Sequence, residues 1–439
     1  MVCYNIDMFV ELEKFLNRGD VVAVAISGGK DSVCLLHYLN ANRKKVGYSL
    51  CAINVEHGIR GIDSINDSAF VKSFCESLNV PLYSYSVNAR KHSQENGLSI
   101  EESARILRYE CFYDLLNKKI CNKIATAHHL LDNAESVLFN VFRGTGIRGA
   151  SGITQNFNDQ IIRPFLTLKR EQIDQYAKDF KLPFVTDQTN FDDDYTRNAI
   201  RHKVIPVIER LFPNVTESIK RFSDLARLDD EFITQTAQDL LGRDGQTFYI
   251  NLPCHKSVFS RACILALKGL GVQKDWEKTH IDGAYSLCEK QNGASVNLPK
   301  GIVAVKENER IVFYKPTTNS SEILPFSLGK HLFNGQTITL KRVEGNVDLK
   351  TGLFIDYDKV PKTAVIRTFN VGDEFKKFGG GTKSLGDYFT DLKIPKRLRE
   401  SLPLVADSNN ILVILGLAIS ECVKVDKNTK NIIQLEYKN

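Results

Sequence analysis

Residues 21–36, VVAVAISGGKDSVCLL, constrain this chain more than any other segment. Val21 to Ile26 is a continuous apolar run with no alternation, the pattern of a strand buried on both faces. It enters Ser27-Gly28-Gly29-Lys30-Asp31-Ser32, and helical spacing follows at once from Lys30 to Asn40. Glycines let a backbone approach a ligand with no Cβ in the way. A helix start offers unbonded N–H groups and a positive dipole end to phosphate. Ser27 and Ser32 add hydroxyls, and Lys30 adds a charge. Asp31 would repel phosphate unless a divalent cation lay between them, which makes it the first candidate ligand for Mg²⁺. The segment is not a Walker loop, because no glycine stands five residues before Gly29 and Lys30 is followed by Asp31. An ordinary glycine turn is the structural alternative. It suits a bare Gly-Gly better than a full hexapeptide placed after a first strand.

The same rhythm continues. Tyr48–Val55, Leu82–Val87 and Lys123–Ala127 read as strands. Ser64–Leu78, Ile100–Leu116 and Leu131–Phe142 read as helices. Apolar strands separated by helices imply βαβ crossovers and an α/β fold, a parallel sheet with helices on both faces and ligands at its carboxyl ends. From Pro164 the pattern is helical (Leu168–Phe180, Arg197–Leu211), and it stays mostly helical through residues 214–290. After about Ala294 short strands punctuated by Gly and Pro take over, with Pro316–Ser321 as a loop. The expected division is a catalytic domain at 1–212, a mostly helical middle domain at 213–345 and a small α+β domain at 346–439.

A second chemical segment, ATAHHLLDNAESVLFNVFRGTGIRG, closes the fourth strand and opens a helix. His129, Asp132 and Glu135 recur every three residues and so share a face, at a strand's carboxyl end. That face suits Mg²⁺ or an attacking amine, with Asp132 as the central group. The plainer alternative is that Asp132 and Glu135 only favour the helix N-terminus. Either His128 or His129 alone would more often be a structural histidine.

SGGxDS after a first strand resembles the PP-loop ATP pyrophosphatases, whose fold is adenine nucleotide alpha hydrolase-like and whose products from ATP are AMP and pyrophosphate. HHxxDxxE followed by RGTGxRG narrows the resemblance to the tRNA(Ile)-lysidine synthetase family. INVEHGIRGIDSINDSAF, EESARILRYECFYDLL, RPFLTLKREQIDQYAKDF and DDDYTRNAIRHKVIPVI support it, as does VIRTFNVGDEFKKFGGGTKSLGDYFTDLKIPKRLRE near the C-terminus. The similarity runs the length of the chain and is weakest in the middle.

The resemblance implies that ATP activates C2 of the wobble cytidine of a CAU-anticodon isoleucine tRNA. The ε-amine of free L-lysine then displaces AMP. It implies these roles as expectations: Ser27, Gly28, Gly29, Lys30, Asp31 and Ser32 hold ATP, with Asp31 and Asp132 on Mg²⁺. Asp132, Glu135 and His129 serve lysine or the metal. Arg108 faces the phosphates, with Arg105 as fallback and ion pairs to Glu101 or Glu102 as the alternative for both. Asn54, Glu56 and His57 follow the second strand, where adenine or ribose would rest. Arg197 and Arg201 gate or grip tRNA, or else lie on a solvated helix face.

Charge adds a second tRNA surface. The chain carries 58 Lys+Arg against 52 Asp+Glu, a net of +6. Residues 361–400 alone hold nine basic against five acidic side chains, so most of the excess is local. Lys376, Lys377, Lys383, Lys396 and Arg397 are the expected backbone contacts, which position rather than specify. GGGTKS at Gly379 lacks a clear buried strand before it and reads as a basic turn. The ten cysteines include no CxxC pair, so neither zinc nor an iron–sulfur cluster is expected. The longest apolar run, at Ile411, is too short to span a bilayer, which suggests a cytoplasmic protein, monomeric or homodimeric, with reduced thiols. The competing enzyme is a PP-loop tRNA thiolase, which would need reactive thiols. A non-catalytic tRNA- or nucleotide-binding module would be expected to lack Asp31, Asp132 and Glu135.

Overall fold

The computed structural model describes residues 11–58, 62–185, 196–316, 322–344, 347–349 and 351–438. Ile59–Gly61 of the HGIR segment, Asp192–Tyr195 of the DDDYTRN segment and most of the Pro316–Ser321 loop therefore lie outside the described residues. The chain forms two compact units, residues 1–232 and 233–439.

In the first unit the strands are β1 (Val21–Ala25), β2 (Ser49–Glu56), β3 (Leu82–Ser86), β4 (Lys123–Ala125), β5 (Asn156–Phe157) and β6 (Ile161–Ile162). The helices are α1 (Lys30–Val46), α2 (Ile62–Ser77), α3 (Ala89–Asn96), α4 (Ile100–Asn117), α5 (Leu130–Phe142), α6 (Ile147–Ala150), α7 (Arg170–Asp179), α8 (Thr196–Ala199), α9 (Ile205–Leu211) and α10 (Val215–Leu240). They build one sheet in the order β3-β2-β1-β4-β6-β5, parallel except for the β5–β6 hairpin. Val22, Ala23 and Val24 of β1 are wholly buried. One core on Val22, Val24 and α1 and another on Ala23, Cys51 and α4 cover the two faces. Each fully buried valine contributes about 1.5–3 kcal/mol, so the central strand is fixed firmly.

Strand order decides where a ligand binds. The chain lays down β2 and β3 on one side of β1, then returns to put β4 on the other. The crossovers diverge beyond the carboxyl ends of β1 and β4, opening a crevice. SGGKDS follows β1 and HHLLD follows β4, so both segments reach that crevice from opposite walls. The expected α/β fold is the one found. The β5–β6 hairpin was not foreseen, because two-residue strands leave no periodicity to read.

The second unit holds two helices (Lys256–Gly269, Lys278–Ser286) packed on a five-stranded sheet of residues 241–314. Two further sheets, of seven and four strands, occupy residues 324–438. The expected boundary at 345/346 differs from this arrangement. Strands Gly329–Phe333 and Gln336–Val343 share a sheet with Ile432–Lys438, so they belong with the C-terminal fold. Likewise the division between the compact units falls inside α10 rather than at 212/213. No helix among the described residues is long and apolar enough to cross a membrane.

Candidate active site

The glycine bend is built by backbone geometry. Gly28 has φ +88°, a left-handed conformation that side chains rarely adopt, and a Cβ there would meet Phe70 and Val71 at 3.4 Å. Gly29 is the N-cap of α1. The Ser32 hydroxyl donates to the Gly29 carbonyl (2.8 Å) and accepts from the Ser27 N–H (3.2 Å), which closes the turn on itself. Lys30 is paired with Asp174 on α7, and its ammonium lies 5.9 Å from the Phe184 ring centroid.

This bend lines a cavity of about 680 Å³. Ser27, Gly29, Lys30, Asp31, Ser32, Asn54, Glu56, His57, Arg105, Arg108 and Asp132 all face it. The structure thus brings together residues spread over a hundred positions of sequence. Tyr109, His128, Arg170 and Phe184 line the same cavity and were not singled out as site residues from sequence. A helical three- and four-residue spacing from Arg105 through Arg108 to Tyr109 would have flagged Tyr109. Nothing local marks Arg170 or Phe184, which arrive from later in the chain.

Several expected ligand-binding residues turn out to be engaged within the protein. The Asn54 amide donates to the Ile26 carbonyl (2.7 Å) and accepts from Ser68 (3.4 Å), so it ties the end of β1 to β2. Glu56 accepts from the Gly58 N–H (2.6 Å) and the Ser86 hydroxyl (3.1 Å). Arg108 reaches His57 at 3.3 Å. Arg105 lies over the Tyr109 ring at 5.0 Å. Glu101, offered as a partner for those arginines, instead accepts from Arg197 (3.2 Å).

On the opposite wall, His129 caps α5 in extended conformation and is buried. Its imidazole sits between two carboxylates, with Nε2 3.8 Å from Asp31 and Nδ1 3.6 Å from Asp132. It therefore lies behind the cavity wall, and His128 is the histidine that lines the cavity. Burial holds the His128 imidazole down to about 4, so it is neutral at physiological pH. Burial would raise the Asp132 carboxyl, but His129, His128 and Arg201 outweigh it and hold the group below its ordinary range. Burial pushes Glu135 up to about 7, against the pull of Arg201.

Arg201, expected at a tRNA surface, turns inward. Its guanidinium donates to Asp132 Oδ1 (2.7 Å) and pairs with Glu135, with one-fifth of the side chain exposed. A π-helical turn at Ile200–Val204 aims it there. Such turns recur where a helix must redirect a side chain. Asp31 Oδ1 is buried with no hydrogen-bond donor. An unpartnered carboxylate oxygen on a residue that lines the cavity fits a hard cation that takes its other oxygens from a nucleotide. Asp132 fits that role less well, because the His129 N–H (2.8 Å) and Arg201 already occupy its two oxygens.

The expected C-terminal basic residues divide. Lys376 and Lys396 are exposed. Lys377 and Lys383 share Asp391 (3.2 and 2.7 Å). Arg397 is nearly buried in an ion pair with Glu307 (2.8 Å) and lies 5.7 Å from the Tyr314 ring centroid, so it braces the second unit internally. The glycines of GGGTKS lie in the turn after strand Glu374–Lys376, and its Thr382–Ser384 is the strand that pairs back.

Comparison with known proteins accords with this geometry. Residues 5–208 match the PP-loop domain, and residues 365–437 match the TilS substrate C-terminal domain. A tRNA(Ile)-lysidine synthase of Caldanaerobacter subterraneus is 32% identical, over 98% of this chain and 96% of that one. The enzyme of the same name from Clostridioides difficile is 32% identical, over 98% and 97%. Among solved structures, a U34-tRNA thiolase from Methanococcus maripaludis aligns with TM-score 0.43 and 19% identity, over 51% of this chain and 77% of that one. With full-length relatives at this identity, the chain belongs to the tRNA(Ile)-lysidine synthase family.

Proposed function

We propose that this chain uses ATP to join the ε-amine of L-lysine to C2 of the wobble cytidine of the CAU-anticodon isoleucine tRNA. One observation carries the reading: the SGGKDS bend, Arg108 and Asp132 converge on one cavity at the carboxyl ends of the central strands. Two covalent steps follow from the chemistry. The cytidine C2 oxygen attacks the α-phosphorus of ATP and pyrophosphate leaves. The neutral lysine amine then attacks C2, the C2–oxygen bond breaks, AMP leaves and the amine gives up a proton. An amide-like oxygen is a poor leaving group, and a phosphate ester corrects this.

The glycine bend and the α1 N-terminus cradle the phosphates. Asp31, through its unpartnered oxygen, would hold Mg²⁺, which neutralises phosphate charge. Arg108 and Lys30 place positive charge where negative charge develops on the phosphates in the adenylation step. Asp132, ionised and held by Arg201, orients the incoming amine. That amine has an ordinary pKa of about 10.4, so it must be desolvated to react at neutral pH. Exposed Lys376 and Lys396 contact the tRNA backbone away from the reacting base. The working division is a catalytic part ending within α10, a middle part, and a tRNA-holding C-terminal part.

The thiolase alternative finds less support. Among the described residues no cysteine lines the cavity. Burial pushes Cys34 and Cys51 up to about 12 and Cys121 up to about 11, away from the thiolate. The test is incubation with labelled lysine, ATP and unmodified tRNA, followed by nucleoside analysis. Lysine-dependent AMP formation and a lysine-bearing nucleoside are expected. Sulfur incorporation, or pyrophosphate release with no lysine transferred, would overturn the reading.

A further inference from the structure

A second cavity, of about 510 Å³, opens farther along α5. Its walls are almost wholly apolar: Phe139, Phe142, Ala199, Ile200 and Val204, with Arg143 and Thr196 as the polar members. Phe142 leaves 63% of its surface exposed at the rim of this cavity. The Phe139 ring carries two guanidinium groups, Arg143 at 5.1 Å and Arg197 at 5.6 Å from its centroid.

Flat apolar walls with cationic groups on an aromatic ring suit a particular occupant. A nucleobase has a π-face for Phe142 and an adjoining phosphate for Arg143, and aromatic stacking with a basic track is how single-stranded nucleic acid is held. Arg197 is paired with Glu101 (3.2 Å), but an aliphatic chain would offer the Arg143 guanidinium no counter-charge. The cavity is reached along the same helix as the catalytic face. At 1.5 Å rise per residue, Phe142 lies about 15 Å from Asp132 along α5. Ile200 in its wall is the immediate neighbour of Arg201, which holds Asp132.

We propose that this cavity is a second nucleobase subsite, which stacks the adenine following the reacting cytidine in the anticodon loop on Phe142 while Arg143 holds its phosphate. The proposal rests on the lysidine-forming reading of the neighbouring cavity. It adds that the wobble base is presented by gripping the nucleotide beside it.

The test uses the full chain and isoleucine tRNA carrying 2-aminopurine in place of that adenine. Binding to the native chain should quench the fluorophore by stacking. Phe142→Ala should lose most of the quench and weaken tRNA retention about tenfold, the lower range for loss of one aromatic–base stack. Phe142→Trp should restore both, and an unchanged thermal midpoint checks folding of each variant. Arg143→Gln should lower the slope of log affinity against log salt by about one. A native chain that forms lysidine on this tRNA without quenching it overturns the subsite and leaves the catalytic reading standing. A Phe142→Ala chain that keeps native quench and affinity also overturns it. A quench that depends on Phe142, in a chain that makes no lysidine, supports the subsite and refutes the catalytic reading.

Discussion

Replacing Arg201 by methionine removes the charge that holds two carboxylates while keeping much of the side-chain volume. In the native fold one guanidinium serves Asp132 Oδ1 at 2.7 Å and also Glu135. The Glu135 side chain is only 7% exposed, whereas Arg201 and Asp132 are about one-fifth exposed. Removing one partner of a fully buried pair costs about 3–5 kcal/mol. Partial solvent access at Arg201 and Asp132 reduces this to about 2–4 kcal/mol. For a unit of this size each kcal/mol moves the thermal midpoint by about 2–4 °C. A fall of about 4–16 °C at pH 8 is therefore expected for the transition of the first unit. The pH dependence follows from Glu135. Its carboxyl is raised by burial to about 7, so the folded state favours the protonated form. Stability from such a group is present below the ordinary carboxylate range and is lost as pH rises from about 4.5 to about 7. Without Arg201 only the more distant Arg197 opposes the upward push, so the deficit of Arg201→Met should be small at pH 5 and grow to its full size by pH 8. Scanning calorimetry of native and variant chains at pH 5, 6.5 and 8 measures this. A deficit of equal size at all three pH values, or no deficit at pH 8, would refute the argument.

Asp132→Ala should abolish lysine transfer while retaining lysine-independent pyrophosphate release, and full ligase activity would reject its role. Gly28→Ala forces a Cβ into a left-handed backbone position, a strain of about 1–2 kcal/mol, and should raise KM for ATP more than KM for tRNA in steady-state assays. Lys376→Gln with Lys396→Gln should weaken tRNA binding and flatten its salt dependence by about one for each phosphate no longer neutralised. Arg397→Gln, by contrast, breaks the nearly buried pair with Glu307 and should lower the melting temperature with little change in salt slope.

The first strand and its glycine bend were legible because a short apolar run, two glycines and an immediate helix are all local signals. The four central strands of the first unit were found within a few residues of their observed ends for the same reason. His129, Asp132 and Glu135 were legible as a group through helical spacing. Their division of labour was not, because His129 stands before the helix as its cap and turns under the wall. Arg201 and Arg397 looked like surface cations, since nothing near them in sequence says that a carboxylate 66 or 90 positions away will meet them. The surplus charge of residues 361–400 was real, yet Asp391 and Glu307 engage part of it.

By itself the sequence determined which segments become buried strands, where glycine permits a phosphate-binding bend, and which chemical groups the chain possesses. Those are consequences of side-chain polarity and backbone freedom over a few residues. Tertiary structure alone decided that the strand order opens a crevice between β1 and β4, that a π turn sends Arg201 inward, and that Phe139 and Phe142 flank a second cavity. Charge, spacing and composition are properties of neighbours along the chain. Partnership is a property of neighbours in space, where a buried ion must find its counter-charge wherever the fold supplies one.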